Sequence, residues 1–255
     1  MPIRTAVYPD LAGKSVLITG GGSGIGEAIV RRFAGQESKV GFIDIKAAES
    51  QKLAAELRES GATVHFEHAD LTDIGALRRA IEAIRAVHGP IQILINNAAH
   101  DERHQTAEVT PEYWDNRMAV NLKHQFFAAQ AVLPDMQKAG GGSIVNFGSV
   151  SWMVGQGGMA AYTAAKSAVL GLTRSLARDY GPDNIRVNAI APGWIMTERQ
   201  LSLWMSPEGQ EELMRRQCLK RRLQPDEIAR AVLFFASDEA SACTNQQYVV
   251  DGGWV

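Results

Sequence analysis

Apolar and β-branched residues gather in short runs along this chain: SVLIT at 15–19, KVGFID at 39–44, TVHFEHAD at 63–70, IQILIN at 91–96, GSIVNFG at 142–148, IRVNAIA at 185–191 and QQYVVD at 246–251. Amphipathic stretches separate them. In AAESQKLAAELRESG, Leu53, Leu57 and the alanines recur at helical spacing, and Gly61 is placed to end the helix. Seven strands alternating with helices predict an α/β fold of right-handed βαβ units, with one parallel sheet covered on both faces. With no repeat and no Pro/Ser-rich linker, residues 1–255 read as a single domain. The interval from Pro192 to Asp226 shows no strand pattern, and a long irregular connection of this kind predicts an active-site lid at about 193–225.

Composition narrows the function classes. The 255 residues are 45% hydrophobic and 21% charged, which suits one large core. A net charge of -2 supplies no basic field, so neither nucleic acid nor an anionic membrane is the expected partner. Cys218 and Cys243 are the only cysteines, too few for a disulfide framework. The N-terminal MPIRTAVYPDLAGKS lacks an apolar core, and no run of about 18 apolar residues occurs, so a cytoplasmic location is expected.

The first predicted strand runs into TGGGSGIGEAIVRRFA, Thr19 to Ala34. Glycines allow a tight turn and close approach of backbone to a pyrophosphate, and the following helix points free N–H groups at the anion. A strand before the glycines and a helix after them make Gly20, Gly22, Ser23, Gly24, Ile25 and Gly26 candidates for the phosphate site of a Rossmann-type doubly wound sheet. Asp44 ends the second strand, where a carboxylate can accept from an adenosine ribose and repel a 2′-phosphate; NAD is therefore favoured over NADP, although Lys46 leaves room for the phosphorylated cofactor. The plainer reading of Asp44 is a helix cap. Asp70, followed by Leu71, is a candidate for the adenine amino group, with capping of the next helix as its alternative.

The fifth strand ends at Ser149, and the helix AAYTAAKSAVLGLTRSLA carries Tyr162 and Lys166 at i and i+4, on one face. A free phenol titrates near pH 10, so at pH 7 only about one in a thousand is phenolate. Lowering it by roughly three units takes about 4 kcal/mol, a size that a buried cation and a positively charged nicotinamide ring are expected to supply. Ser149 would then hold a substrate hydroxyl while Tyr162 removes its proton.

The string TGGGSGIG, the NNAA at 96–99, Asn121 in MAVNL, Ser149, YTAAK and APGWIMT occur in an order that resembles the short-chain dehydrogenase/reductase family from about Leu11 to Val255. The resemblance implies a seven-stranded doubly wound sheet, a nicotinamide cofactor, and a catalytic set of Asn121, Ser149, Tyr162 and Lys166. It further implies that Asn121 anchors a water joining Lys166 to solvent, and that Lys166 holds the nicotinamide ribose. Asn97 and Ala98 would line the cofactor, with Ala99, where the family more often has Gly, beside them. Pro192, Gly193, Ile195 and Thr197 would line its nicotinamide end, and the chain would assemble as a homotetramer through helices near 111–138 and 160–180 and the last strand. The terminal DGGWV, with apolar Trp254 and Val255 expected at a monomer's surface, points the same way.

After the fourth strand comes NNAAHDERH, Asn96 to His104. His100 and His104 sit four apart, yet Asp101 stands where a zinc-protease helix has Glu and the segment leaves a strand, so no metal is expected. A polar loop before a helix capped by Thr110 and Pro111 is the bland reading. The functional one is a substrate wall, since loops at the carboxyl ends of strands frame ligand sites, and Asp101, Arg103 and His104 offer a polyhydroxyl substrate donors and acceptors. The stretch is similar to sugar-oxidising members of the family, which convert the C1 hydroxyl of xylose, galactose or arabinose to a lactone. Gln156 and Trp194 are placed on the opposite wall, while Trp204, Met205, Leu213 and Met214 form the inner face of the lid. Two rivals remain: a carbonyl or 3-oxoacyl reductase using NAD(P)H, and a non-catalytic nucleotide-binding scaffold.

Overall fold

The computed structural model describes residues 6–255; residues 1–5, on which part of the N-terminal reading rests, lie outside the described residues. Seven strands form one sheet in the order β3-β2-β1-β4-β5-β6-β7: β1 Ser15–Thr19, β2 Lys39–Asp44, β3 Val64–His68, β4 Ile93–Asn96, β5 Gly142–Phe147, β6 Ile185–Pro192 and β7 Gln247–Val250. Every pairing is parallel. Strand order reverses between β1 and β4, and that switch point opens the crevice in which this architecture binds ligands.

Helices α1 Gly24–Ala34, α2 Ala47–Glu59 and α9 Pro225–Ala236 cover one face; α3 Ile74–His88, α5 His124–Ala139 and α6 Ala160–Tyr180 cover the other. Two apolar layers result. Ile29 and Phe33 of α1 pack with Val232 and Phe235 of α9 on one side. On the other, Ile81 and Ile84 pack with Val132, Met136 and Leu176. Central strands buried on both sides, such as SVLIT, read as unbroken apolar runs for that reason.

Boundaries moved where caps compete with strands. β3 ends at His68, two residues short of the predicted run, because Asp70 turns the chain by accepting from Thr72 N–H at 2.8 Å. The cap of α3 is Asp73, which accepts from the N–H groups of Gly75 and Ala76, so Asp70 is left free of the capping role. Gly61, at φ 91°, follows the end of α2 as expected. The interval after β6 is not irregular: α7 Glu198–Leu203 and α8 Pro207–Arg216 fold within it, capped by Thr197 and Ser206. Helix α4, Pro111–Met118, is capped by Thr110 and joins α5 through a π-helical turn, Ala119–Lys123, that carries Asn121. No helix of the described residues is long and apolar enough to cross a membrane.

Candidate active site

One open cleft of about 1680 Å³ runs along the carboxyl ends of the strands. Its nucleotide end is made largely of backbone. A Cβ at Gly26 would stand 1.8 Å from the Gly20 carbonyl oxygen, so only glycine lets α1 start that close to β1. Ser23 makes no side-chain cap, and the N–H groups opening α1 have no partner among the described residues; such a helix start fits a pyrophosphate. Gly20, Ser23, Gly24, Ile25 and Gly26 are on the cleft wall. Gly22 is not; its N–H donates to Asp44 Oδ2 at 2.7 Å. Asp44 Oδ1 accepts from Lys46 N–H at 2.9 Å, so the carboxylate that faces the cleft also pins the glycine turn. Asp70, Leu71 and Ala69 continue that wall. Asn97 ties β4 to β1 by donating to the carbonyls of Thr19 and Gly20, and Ala98 N–H donates to Thr19 Oγ1 at 3.1 Å. These residues fit a dinucleotide.

At the middle of the cleft β5 delivers Ser149 and α6 delivers Tyr162 and Lys166. Lys166 is 1% exposed and donates from Nζ to the Phe147 carbonyl at 2.7 Å, 5.7 Å from the centre of the Tyr162 ring. Ser149 Oγ accepts from Ser151 N–H at 3.1 Å, and Ser149 and Tyr162 both line the cleft. Asn121 is fully buried and off the cleft wall. Its Oδ1 accepts from His100 N–H at 2.9 Å, and its Nδ2 donates to the carbonyls of His100 and Arg117. The side chain thus clamps the loop after β4 to the π-helical turn.

Burial pushes the Tyr162 phenol above its usual range, the Asp101 carboxylate adds to the rise, and the Ser149 hydrogen bond opposes both. Burial also pulls Lys166 down to about 7, against the pull of Asp101. A buried lysine does not by itself lower its neighbour, because leaving water penalises the charged form of each group. A bound nicotinamide, positively charged when oxidised, would favour the phenolate.

The substrate end is made of side chains. Asp101 and Arg103 line it, but Asp101 is already engaged: Oδ1 accepts from Arg199 Nε at 3.0 Å and Oδ2 from Gln200 Nε2 at 2.6 Å. Gln200 Oε1 in turn accepts from the Trp194 indole at 2.9 Å. The Arg103 guanidinium lies 4.4 Å over the Trp204 ring. His104 is off the cleft wall, contrary to the sequence reading. Its Nδ1 pairs with the Tyr113 hydroxyl at 3.0 Å and its N–H donates to the Gly158 carbonyl, so it builds the loop instead of facing a ligand. Glu102 and His100 both pair with Arg117. Gln156 and Trp194 are on the wall as expected, and Leu213 is the fully buried anchor of the segment. Among the described residues no group of three His, Cys, Asp or Glu could hold a metal.

Three contributors escaped the sequence reading. Arg199 and Gln200 face Asp101 across a separation in sequence of nearly a hundred residues. Trp254 was expected at the outer surface, but it lines the cleft, half-buried, with its ring 6.4 Å from that of Trp194. Its signal lay in DGGWV, where two glycines at φ 71° and 80° turn the tail inward.

The family described as enoyl-(acyl carrier protein) reductase matches residues 20–255. The chain is 46% identical over 252 residues to D-xylose 1-dehydrogenase of Caulobacter vibrioides, covering 99% of this chain and 100% of that protein. It is 47% identical over 254 residues to a galactose dehydrogenase of Rhizobium meliloti, with 99% of each chain covered. Among solved structures, a short-chain alcohol dehydrogenase from Sinorhizobium meliloti superposes with a TM-score of 0.92 at 31% identity, covering 97% of this chain and 98% of that one. A short-chain type dehydrogenase/reductase from Mycobacterium ulcerans gives 0.90 at 27% identity over 98% and 91%. With its parallel sheet, glycine turn and Ser149–Tyr162–Lys166 cleft, the chain belongs to the short-chain dehydrogenase/reductase family.

Proposed function

We propose that this oxidoreductase is an NAD-dependent aldose 1-dehydrogenase that oxidises the C1 hydroxyl of a xylose-, galactose- or arabinose-type sugar to the lactone. The observation that carries the reading is one cleft holding Ser149, Tyr162 and Lys166 opposite a wall of hydrogen-bonding side chains. The two sugar dehydrogenases at 46% and 47% identity support it. Asp44 at the end of β2 supports NAD over NADP.

A bound nicotinamide supplies the hydride acceptor. The residues of this chain do the rest. Ser149 orients the C1 hydroxyl by hydrogen bonding, and Tyr162 takes its proton as the C1 hydrogen leaves with its electron pair. Lys166, held by the Phe147 carbonyl, steadies the phenolate and passes the proton on; Asn121 holds the loop against which that path runs. The segment at about 193–225 closes over the sugar and excludes water, seated on Asp101 and Arg103. Exposed aromatic side chains, Trp114 on α4, Phe126 on α5 and Tyr248 on β7, support a homotetramer built through those elements.

A panel of aldoses with NAD and with NADP tests this. Sugar-dependent appearance of reduced nicotinamide, faster with NAD, is the expected result. No aldose giving turnover with either cofactor would sink it.

A further inference from the structure

The tail of the chain does more than close the fold. Asp251, 4% exposed, accepts from the N–H groups of Gly253 at 2.7 Å and Val255 at 2.9 Å and curls the last residues into a tight hook. The hook is fastened to the segment that follows α8: the N–H groups of Cys218 and Leu219 donate to the carbonyls of Gly253 and Gly252, each at 2.9 Å. Trp254, carried at its tip, is delivered into the cleft beside Trp194. A Cβ at Gly209 of α8 would stand 3.0 Å from the tip of the Trp194 ring, so Trp194 abuts that helix as well as pairing with Trp254.

The two indoles differ in how they are held. Trp194 Nε1 is committed to Gln200, which Asp101 holds, so its plane is fixed by a hydrogen-bonded chain starting at the loop after β4. Trp254 Nε1 is buried with no partner, so the ring is seated by packing alone. Together they give the substrate end an aromatic surface next to a polar one, the combination that a sugar ring needs for its C–H face and its hydroxyl edge.

We propose that Trp254, paired with Trp194, is a specificity-determining residue that receives the C–H face of the sugar ring, so that the C-terminal hook forms part of the substrate site. This rests on the aldose reading above. Because packing of the ring face and not its N–H is what acts, phenylalanine serves in its place and leucine does not.

The test is steady-state kinetics on Trp254→Phe and Trp254→Leu, using the best aldose of the panel, with thermal unfolding to confirm that both fold. Expected is a KM for the sugar raised roughly tenfold in Trp254→Leu and less than about twofold in Trp254→Phe, the tenfold corresponding to about 1.4 kcal/mol of lost ring contact. In both variants kcat and the KM for NAD stay near wild type. Equal sugar KM values in wild type and Trp254→Leu overturn the proposal while leaving the aldose reading intact, as does an equal loss in both variants or a parallel change in the KM for NAD. Absence of aldose turnover by the wild type overturns both.

Discussion

The two ends of the cleft are built by different rules. The nucleotide end comes from nearly contiguous chain, the β1–α1 turn at 19–26 and the end of β2, and its recognition groups are backbone N–H donors shaped by glycine. The substrate end comes from residues 101–103, 194–204 and 254, and its groups are side chains bound to one another: Arg199 and Gln200 on Asp101, Trp194 on Gln200, Arg103 on Trp204, Trp254 beside Trp194. A backbone cradle accepts any ligand with the same phosphates, and its geometry is fixed by steric necessity. A side-chain lattice can be retuned one residue at a time without disturbing the sheet. Such a division lets the substrate contacts change without disturbing the nucleotide turn.

The largest expected effect lies where the ends meet. Tyr162→Phe removes the proton acceptor and leaves Lys166 and Ser149 in place, so kcat should fall by about 10³, within the usual contribution of general base catalysis. Binding of NAD, followed by quenching of tryptophan fluorescence, should be unchanged. Unaltered turnover would remove Tyr162 from the mechanism altogether.

Next in size is a change confined to the nucleotide end. Asp44→Ala deprives the Gly22 N–H of its acceptor and frees the Lys46 turn, besides removing a carboxylate from the cleft wall. Leaving a buried donor unpaired costs about 1–3 kcal/mol. The KM for NAD should rise about tenfold or more and the preference over NADP should shrink, with the sugar KM unaffected. A sugar KM that moves equally would mean that the two ends are not separable.

That separation also explains what could be read from the chain. The sheet was legible because strands buried on both faces are continuous apolar runs, and the phosphate turn because its geometry requires glycines at neighbouring positions. Tyr162 and Lys166 were legible because helical spacing alone places them together. Nothing local marked Arg199 or Gln200, whose partner Asp101 is brought against them only by folding, and the two glycines before Trp254 mark a turn but not the Trp194 ring it meets. His104 was misjudged for a related reason: its neighbours Asp101 and Arg103 face the cleft, yet its own ring turns to Tyr113 on α4. The sequence shows a lysine one helical turn from Tyr162 but not that Lys166 is buried while Tyr162 is only partly so and lines the cleft.

The smallest effect, and the one that best sharpens the comparison, belongs to Asp101→Asn. The amide keeps one acceptor oxygen, so one of the contacts with Arg199 and Gln200 survives and the other is lost; with the Asp101 and Arg199 side chains 22% and 39% exposed, the lost ion pair is worth under about 1 kcal/mol. The sugar KM should rise only about threefold, with the KM for NAD unchanged. The pH profile should respond as well. A carboxylate near Tyr162 disfavours the phenolate and one near Lys166 favours the ammonium, so Asp101 raises both groups. Removing its charge lets Tyr162 ionise at lower pH, which moves the acid limb of kcat to lower pH, and lets Lys166 lose its proton sooner, which moves the alkaline limb the same way. The whole bell should therefore shift acidward in Asp101→Asn and not in Arg199→Gln, which loosens the same contact but leaves the carboxylate in place. A shift of equal size in both variants would trace the effect to the position of the segment and not to the charge, and would join the substrate end to the catalytic groups by packing alone.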